Sequence, residues 1–343
     1  MIEISYILIL IISVFFISKI FNSKNFLQSQ SGEKHQKFVE KISVPLIGGF
    51  YFATAFLLIF YMTNQKILFL AVLSIFFLGI FSDLKIIKSP KIRFLFQILI
   101  ILFFAYLFEL KVVSTRIPFF DTFLSYKIIN FFFVIFCILI LVNGTNFIDG
   151  LNGLVIGYFA LISIALYSIG FFDDFNFTKK EYLIFFSVLA VMFLFNISNR
   201  LYLGDSGTYT LGLVFSFIII KYHENFPAIS PYFIILLLWY PCFENLFSIM
   251  RKFKFKRSPM YPDENHLHQI LFFFIKKKLD LSNIYINNLT SFIILLFNGI
   301  IFYIGSNHIY STKLQIILIF AAILIYIFVY IVLFSYKYKT LKK

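Results

Sequence analysis

The sequence has 343 residues, of which 61% are hydrophobic and 13% are charged. A soluble domain carries about twice this share of charged residues, and a helix crosses a bilayer with about 20 predominantly apolar residues. The composition therefore excludes a soluble globular protein, a coiled coil, a disordered chain and a disulfide-rich secreted domain, and it predicts an all-α polytopic membrane protein. A net charge of +14 is then typical of basic loops beside anionic lipid and not of nucleic-acid binding.

Continuous apolar segments predict about eleven membrane-spanning helices, with ten as the alternative count. The predicted segments are 3–21, 45–62, 67–82, 92–110, 127–143, 153–170, 182–197, 208–222, 232–250, 286–304 and 314–335. Several are shorter than a full span, which indicates tilted, broken or re-entrant helices. The stretch His268–Leu281, with Phe and Ile residues before three lysines, indicates either an amphipathic helix at the membrane surface or an ordinary basic loop.

Lysine and arginine residues concentrate on one side of this arrangement. With the amino terminus outside, the inner loops and helix ends hold about 22 of the 30 basic residues, which predicts that the carboxyl terminus is inside. The sequence shows no internal repeat, so we predict one membrane-embedded domain over residues 1–343. The cytoplasmic loops that would carry its function lie near residues 22–44, 83–93, 143–154, 198–207 and 251–285.

Four inner loops contain clusters of acidic, amide, glycine or histidine residues. These clusters are Gly79–Asp83 with the nearby Arg93 and Gln97, Asn143–Leu154, Gly204–Gly207, and Arg251–Gln269. Because the orientation rests on basic residues alone, the shared face of the clusters is an independent observation. Each cluster taken singly could be helix caps, turns or ordinary loop residues. Together they are typical of a site for a hard cation and phosphate groups.

Glu244 lies near the inner end of the ninth predicted span. An ionisable side chain in a membrane helix is energetically costly and indicates a functional group by default. Arg251 follows seven residues later, about two helical turns along. The alternative to a functional role is that the Glu244 carboxylate pairs with Arg251 or extends to the membrane surface.

These motifs resemble those of the polyprenyl-phosphate N-acetylhexosamine-1-phosphate transferases. This family includes the enzymes that initiate O-antigen and enterobacterial common antigen, and the phospho-MurNAc-pentapeptide translocase. Asn143–Leu154 resembles the highly specific motif N-x-x-N-x-x-D-G-x-D-G-L, and Gly204–Gly207 resembles G-D-x-G. The stretch Arg251–His268 resembles R…R-S-P…P-D…H-x-H-H. The resemblance extends from Pro45 to Gln269, and its last motif is more similar to the O-antigen and common-antigen branch.

The resemblance implies transfer of N-acetylhexosamine 1-phosphate from a UDP-N-acetylhexosamine to undecaprenyl phosphate, with release of UMP. The product would start a lipid-linked glycan such as O-antigen or capsule. The implied cofactor is Mg²⁺, with Mn²⁺ as the alternative, and the implied metal ligands are Asp205 and Asp149. The catalytic residues by this resemblance are Asp83, Asp149, Asp205, His266 and His268. The substrate-binding residues would be Asn143, Asn146, Arg93, Glu244, Arg251 and Arg257.

The same resemblance implies a bacterial inner membrane protein whose site faces the cytoplasm. The expected partner is the lipid bilayer and not nucleic acid. A homodimer is also possible, and only the resemblance to the family suggests it. A phosphate monoester has its second pKa near about 6, so the lipid phosphate is mostly dianionic near neutral pH. We therefore favour direct attack on the β-phosphorus over a covalent aspartyl intermediate. The donor sugar stays open among GlcNAc, FucNAc, QuiNAc and related sugars.

The chain departs from the family pattern at several positions. The family usually has two adjacent aspartates where this chain has Ser82 and Asp83. An alignment on Gly79 makes Ser82 the replacement of the first acid, whereas an alignment on Arg93 makes Asp83 the first acid. The other departures are Asn152 and Glu244 at frequent Asp positions, and Gln269 at a frequent His position. These departures suggest, as an alternative, a catalytically silent scaffold in glycan assembly. A secondary transporter is disfavoured, because it would need ionisable groups near mid-membrane and the acidic clusters lie at one face.

Overall fold

The computed structural model describes residues 2–23, 27, 44–171, 178–254, 256 and 264–341. Within these residues the chain forms thirteen helices, numbered here α1 to α13. Their bounds are α1 Ile2–Ser23, α2 Gly48–Met62, α3 Lys66–Asp83, α4 Pro90–Leu107, α5 Pro118–Leu124, α6 Lys127–Ile148, α7 Leu154–Ser168, α8 Lys179–Ile197, α9 Gly204–Asn225, α10 Pro231–Lys254, α11 Leu267–Lys278, α12 Asn283–Ser306 and α13 Thr312–Leu341.

The predicted all-α membrane fold is confirmed, and each of the eleven predicted segments overlaps one helix, with ends that differ by a few residues. In the described part of the chain, seven helices are long and apolar enough to cross a bilayer, namely α3, α4, α6, α8, α10, α12 and α13. Shorter apolar stretches lie in α1, α2 and α7. The protein is therefore a multi-pass helical membrane protein.

Two of the sequence motifs lie wholly or partly on helices, which corrects their predicted placement in loops. Helix α6 continues five residues past the predicted end at residue 143, so Asn143 and Asn146 lie on its last turns. Helix α9 begins at Gly204, four residues before the predicted start, so the G-D-S-G motif forms its first turn. Hydropathy ends a predicted span where polar residues begin, but the backbone stays helical because these side chains face protein groups and not lipid.

Helix α9 is the centre of the bundle and packs against α2, α3 and α6. Most of its side chains from Ser206 to Ile219 are buried, including Thr208, Thr210 and Ser216. The Thr210 hydroxyl donates to the Ser206 carbonyl oxygen, 2.7 Å away on the preceding turn. Burial inside protein explains why this helix has more polar residues than its neighbours.

Glycines allow the backbones around α9 to approach closely. A methyl group on Gly79 of α3 would lie 2.3 Å from the Cα atom of Ser206. A methyl group on Gly212 of α9 would lie 2.8 Å from the Cα atom of Val142 on α6. Close backbone contacts at small residues are a common form of helix packing in membranes. These contacts bring the ends of α3 and α6 to the amino-terminal end of α9.

Helix α11 is the amphipathic segment that the sequence indicated near residues 268–281. Its buried residues include Ile270, Phe272 and Ile275, and the helix packs against α12 and α13. Its apolar face is thus covered by protein and not by lipid. The three lysines Lys276–Lys278 form its exposed last turn, where positive charge interacts favourably with the helix dipole.

We expect Gly79→Ala to destabilise the protein and Gly299→Ala to leave it unchanged or slightly more stable. The methyl group on Gly79 would meet backbone atoms of Ser206 that cannot yield, at a cost of about 1 to 3 kcal/mol. A methyl group on Gly299 would lie 3.5 Å from its nearest neighbour on Leu161, which is ordinary contact. Thermal unfolding of both variants in detergent checks this, and equal shifts in the two would contradict the packing argument.

Candidate active site

Asp205, in the first turn of α9, accepts hydrogen bonds from three other helices. Its Oδ2 atom is 2.6 Å from a guanidinium nitrogen of Arg93 on α4. The same oxygen accepts from the Ser82 hydroxyl on α3. Its Oδ1 atom accepts from the side-chain amide of Asn146 on α6, at 2.7 Å. Asp205 thus joins α3, α4, α6 and α9 at one end of the bundle.

Asp83, the last residue of α3, caps the amino-terminal end of α9. Its two oxygens accept from the backbone amides of Asp205 and Ser206, at 2.8 and 3.1 Å. Amides at a helix start have no partner within the helix and favour a negative charge. Gly204 enters this turn with a φ of +71°, and a methyl group there would lie 2.7 Å from an Asp83 oxygen. Asp83 therefore fixes the position of Asp205, and its catalytic role stays a prediction of the resemblance.

The neighbouring Ser82 has different surroundings from Asp83. Its hydroxyl donates to Asp205 and accepts from Arg93, whose nitrogen is 2.7 Å away. Ser82 is the residue that replaces an acid when the chain is aligned on Gly79. An acid at this position would place a second carboxylate beside Asp205, with Arg93 in contact with both.

Asp149 follows the last residue of α6 and is half-buried. Burial, together with the nearby carboxylates of Asp205 and Asp83, raises the pKa of Asp149 to about 8. Neighbouring carboxylates create a negative potential that a cation would relieve. The site is therefore electrostatically suited to a positive ion or to a ligand that carries one.

The oxygen atoms of this site fit a hard cation such as magnesium. Asp205 and Asp149 supply carboxylate oxygens. Oδ2 of Asp205 accepts hydrogen bonds from the side chains of Ser82, Arg93 and Tyr209. Its Oδ1 atom accepts one bond, from Asn146, so Oδ1 is the oxygen with an acceptor position left for an ion. Among the described residues, no three acidic, histidine or cysteine side chains are close enough to enclose an ion by themselves. Magnesium is usually held by one or two carboxylates and completes its shell with water and phosphate oxygens.

Asn143 makes its side-chain bonds within the protein. Its amide donates to the Gln97 side-chain oxygen on α4 at 3.1 Å, and to the Leu139 carbonyl oxygen at 2.9 Å. Gln97 is almost fully buried. This contact holds α4 against α6 and so keeps Arg93 beside Asp205.

His266 and His268 lie at the start of α11 and adjoin the loop after α6. Their rings stack with centroids 5.7 Å apart and planes 18° apart. A methyl group on Gly150 would lie 2.4 Å from the Nε2 atom of His268, so this glycine is required for the close approach. The ring of Phe147 is 5.6 Å from that of His266. The structure therefore brings the histidines beside the Asp149–Gly150 loop.

Glu244 on α10 is fully buried and contacts His266 and not Arg251. Its Oε1 atom is 2.9 Å from Nδ1 of His266, and its Oε2 atom accepts from the Tyr326 hydroxyl at 2.7 Å. Arg251 is also buried and donates to the Ser248 hydroxyl at 3.1 Å. Arg257 lies outside the residues that the structure describes.

Two departures from the family pattern take part in local hydrogen bonds. The Gln269 side chain accepts from the His266 backbone amide at 3.1 Å and closes a capping box at the start of α11. Asn152 is buried, and its side-chain amide donates to the Asn199 side-chain oxygen at 3.4 Å while its backbone amide donates to the Asn287 side-chain oxygen at 2.7 Å. Both residues therefore build the loops of the site.

Sequence reasoning missed Tyr326 on α13. It lies 82 residues from Glu244 along the chain and is one of 21 tyrosines in a sequence rich in aromatic residues. No local pattern distinguishes it from the other tyrosines of the membrane helices. Its contact becomes visible only when α10 and α13 pack together.

Residues 65–223 match the glycosyl transferase family 4 model, and this range contains Asp83, Arg93, Asn146, Asp149 and Asp205. An undecaprenyl-phosphate alpha-N-acetylglucosaminyl 1-phosphate transferase of Thermotoga maritima is 27% identical over 231 residues, which cover 66% of this chain and 68% of the relative. A decaprenyl-phosphate N-acetylglucosaminephosphotransferase of Mycolicibacterium smegmatis is 27% identical, over 38% of this chain and 37% of the relative. A probable undecaprenyl-phosphate N-acetylglucosaminyl 1-phosphate transferase of Bacillus subtilis is 26% identical, over 57% and 55%.

We expect Asp83→Ala to lower the stability of the protein, because the first amides of α9 would lose their acceptors. The loss of such a cap costs about 1 to 2 kcal/mol. Asp280→Ala, which removes an exposed acid in the loop after α11, is the matched control and should change stability by less than about 0.5 kcal/mol. Thermal unfolding in detergent measures both variants, and a stable Asp83→Ala protein would contradict the capping role.

Proposed function

We propose that this chain is a member of glycosyl transferase family 4 and that it transfers N-acetylhexosamine 1-phosphate from a UDP-sugar to a polyprenyl phosphate. The observation that carries the proposal is the group of carboxylates at the start of α9, with Asn146 and Arg93 in contact with Asp205. These residues lie inside the region that matches the family. The names of the relatives support N-acetylglucosamine as the first sugar to test and undecaprenyl phosphate as the first acceptor.

The reaction joins an oxygen of the lipid phosphate to the β-phosphorus of the UDP-sugar. The bond from the β-phosphorus to the bridging oxygen breaks, and that oxygen leaves on UMP. The lipid phosphate is mostly dianionic near neutral pH, so it needs alignment and charge screening more than deprotonation. Positioning and electrostatic stabilisation then account for the catalysis, as in other phosphoryl transfers.

Asp205 and Asp149 would hold Mg²⁺, which would neutralise charge on the donor diphosphate when bound. Arg93 contacts Asp205, and its guanidinium group would neutralise charge on a phosphate oxygen of the donor. His266 and His268 lie beside the Asp149–Gly150 loop and would bind the donor phosphates. Asp83 supports the contacts of Asp205 because it fixes the first turn of α9.

The site would face the cytoplasm of a bacterial inner membrane. The basic inner loops support this orientation, and the clustered polar residues share the side of those loops. The polyprenyl chain would stay in the bilayer while its phosphate reaches the ends of α3, α6 and α9. The product would be a polyprenyl-diphospho-sugar that starts a lipid-linked envelope glycan.

We expect the purified protein in detergent to release UMP from UDP-N-acetylglucosamine when undecaprenyl phosphate and Mg²⁺ are present. Asp205→Asn should lower the rate by a factor of about 100 or more, because a carboxylate at the centre of the charged site is lost. Asp280→Asn is the matched control and should release UMP at the wild-type rate. A wild-type rate in Asp205→Asn would contradict the site. No release by folded wild-type protein with any UDP-N-acetylhexosamine would contradict the proposed reaction.

We expect Gly150→Ala to lower the rate of UMP release by a factor of about 10 to 100. The added methyl group would displace the ring of His268, which is fully buried and has little room to move. Gly299→Ala, at a site of ordinary contacts on α12, should keep the wild-type rate. Thermal unfolding of both variants separates a displaced ring from a misfolded protein, and full activity in Gly150→Ala would show that the position of His268 does not matter.

A further inference from the structure

Three buried side chains form a chain of hydrogen bonds that ends on His266. The Tyr326 hydroxyl donates to Oε2 of Glu244 at 2.7 Å, and Oε1 of Glu244 is 2.9 Å from Nδ1 of His266. The exposed fractions are 2% for Tyr326, 0% for Glu244 and 6% for His266. The three residues come from α13, from α10 and from the position before α11. A carboxylate this deeply buried in a membrane helix is costly and indicates a function.

Stability alone does not explain the carboxylate. Apolar residues of similar volume usually stabilise a protein as well as a buried acid–base pair does, or better. The carboxylate instead fixes the orientation of the groups that share hydrogen bonds with it. An ionised carboxylate only accepts hydrogen bonds, so with Glu244 ionised the hydrogen between Oε1 and Nδ1 of His266 is carried by Nδ1. With Nδ1 committed to Glu244, any contact of this ring with a substrate is made through Nε2.

The C-terminal helix α13 also holds the segment that precedes His266. The Tyr330 hydroxyl donates to the Asn265 carbonyl oxygen at 3.1 Å. The Lys337 ammonium group donates to the Glu264 carbonyl oxygen at 2.6 Å and to the Asn265 side chain at 3.1 Å. Tyr326, Tyr330 and Lys337 are spaced by four and seven residues, so they share one face of the helix. This face of α13 is therefore a rigid support for the histidine segment.

The orientation of His266 matters for the rest of the site. Its ring stacks on His268, which lies against Gly150. Its other neighbour is Phe147, two residues before Asp149. A rotation of the His266 ring would therefore disturb both the second histidine and the loop that carries Asp149.

We propose that Glu244, held by Tyr326, is a positioning residue that fixes the ring orientation and the tautomer of His266 toward the donor diphosphate. The proposal rests on the proposed function, since it assumes that His266 contacts the UDP-sugar. It replaces the substrate-binding role that the resemblance implied for Glu244. It also assigns the C-terminal helix a function in catalysis beyond crossing the membrane.

Glu244→Gln tests the proposal because it keeps the size of the side chain but leaves one acceptor oxygen for two donors. We expect kcat/KM for the UDP-sugar to fall by a factor of about 10 to 100, the usual effect of losing the partner that orients a histidine. The KM for the lipid phosphate should stay close to wild type, and kinetics are measured well below the thermal midpoint, because an unpaired buried donor lowers stability. Tyr326→Phe removes one of the two bonds and should lower kcat/KM by a factor of about five. Glu109→Gln and Tyr303→Phe, at exposed positions, are the matched controls.

A double-mutant cycle with His266→Ala separates positioning from an independent effect. If Glu244 acts through His266, the variant with both changes should be no slower than His266→Ala alone, within a factor of about two. Effects that multiply would overturn the proposal, as would wild-type kinetics in Glu244→Gln. A thermal midpoint that falls in Glu244→Gln, with kcat/KM restored at lower temperature, would also overturn it in favour of a structural role.

The failure of this proposal can be distinguished from the failure of the proposed function. If the wild-type protein releases UMP and the Glu244→Gln variant does so equally well, only the positioning role is rejected. Wild-type protein that releases no UMP rejects the reaction, and the rise of the thermal midpoint with UDP-N-acetylglucosamine then tests positioning through donor binding. This rise should be smaller in Glu244→Gln than in Glu109→Gln. The absence of both turnover and binding in the wild type would overturn both proposals.

Discussion

The start of α9, at one end of the bundle, is the constraint on which the candidate active site depends. A helix start has backbone amides that need acceptors, and neighbouring apolar helices offer few of them. Asp83 supplies two acceptor oxygens from the end of α3, and Gly204 allows the turn that brings the amides to them. Because Asp205 is the first residue capped in this way, the contact that satisfies the backbone also sets the position of the central carboxylate.

Close packing and polar bonding reinforce each other around this point. Gly79 and Gly212 let the backbones of α3 and α6 approach the backbone of α9. This close packing places the polar ends of α3 and α6 near Asp205. Asn143 and Gln97 then hold α4 in register with α6. Asp205, Asn143 and Gln97 each have a hydrogen-bond partner on a different helix, as low-dielectric surroundings require. The site is consequently assembled by the same contacts that hold the bundle together.

A second polar chain supports the histidines from the other side. Glu244 connects His266 to Tyr326 on α13, while the Asp205 group connects α3, α4, α6 and α9. The stacked histidine rings and Gly150 lie beside Asp149 and so connect the chain of Tyr326, Glu244 and His266 to the residues around Asp205. A ligand bound between them would thus contact carboxylates on one side and imidazole rings on the other, an arrangement suited to a diphosphate with its counter-ion.

The sequence by itself determined the membrane-embedded helical fold, the approximate positions of the helices and the identity of the polar motifs. These are local properties, since apolar runs and motif spacing are read from neighbouring residues. The tertiary structure alone decided that Asp83 caps a helix that begins 121 residues later and that Glu244 meets His266 and Tyr326. It also decided that the asparagine and glycine–aspartate motifs lie wholly or partly on helices. The reason is physical: Phe, Ile and Leu surround most of these helices on every side, so the chain does not reveal which faces will pack together.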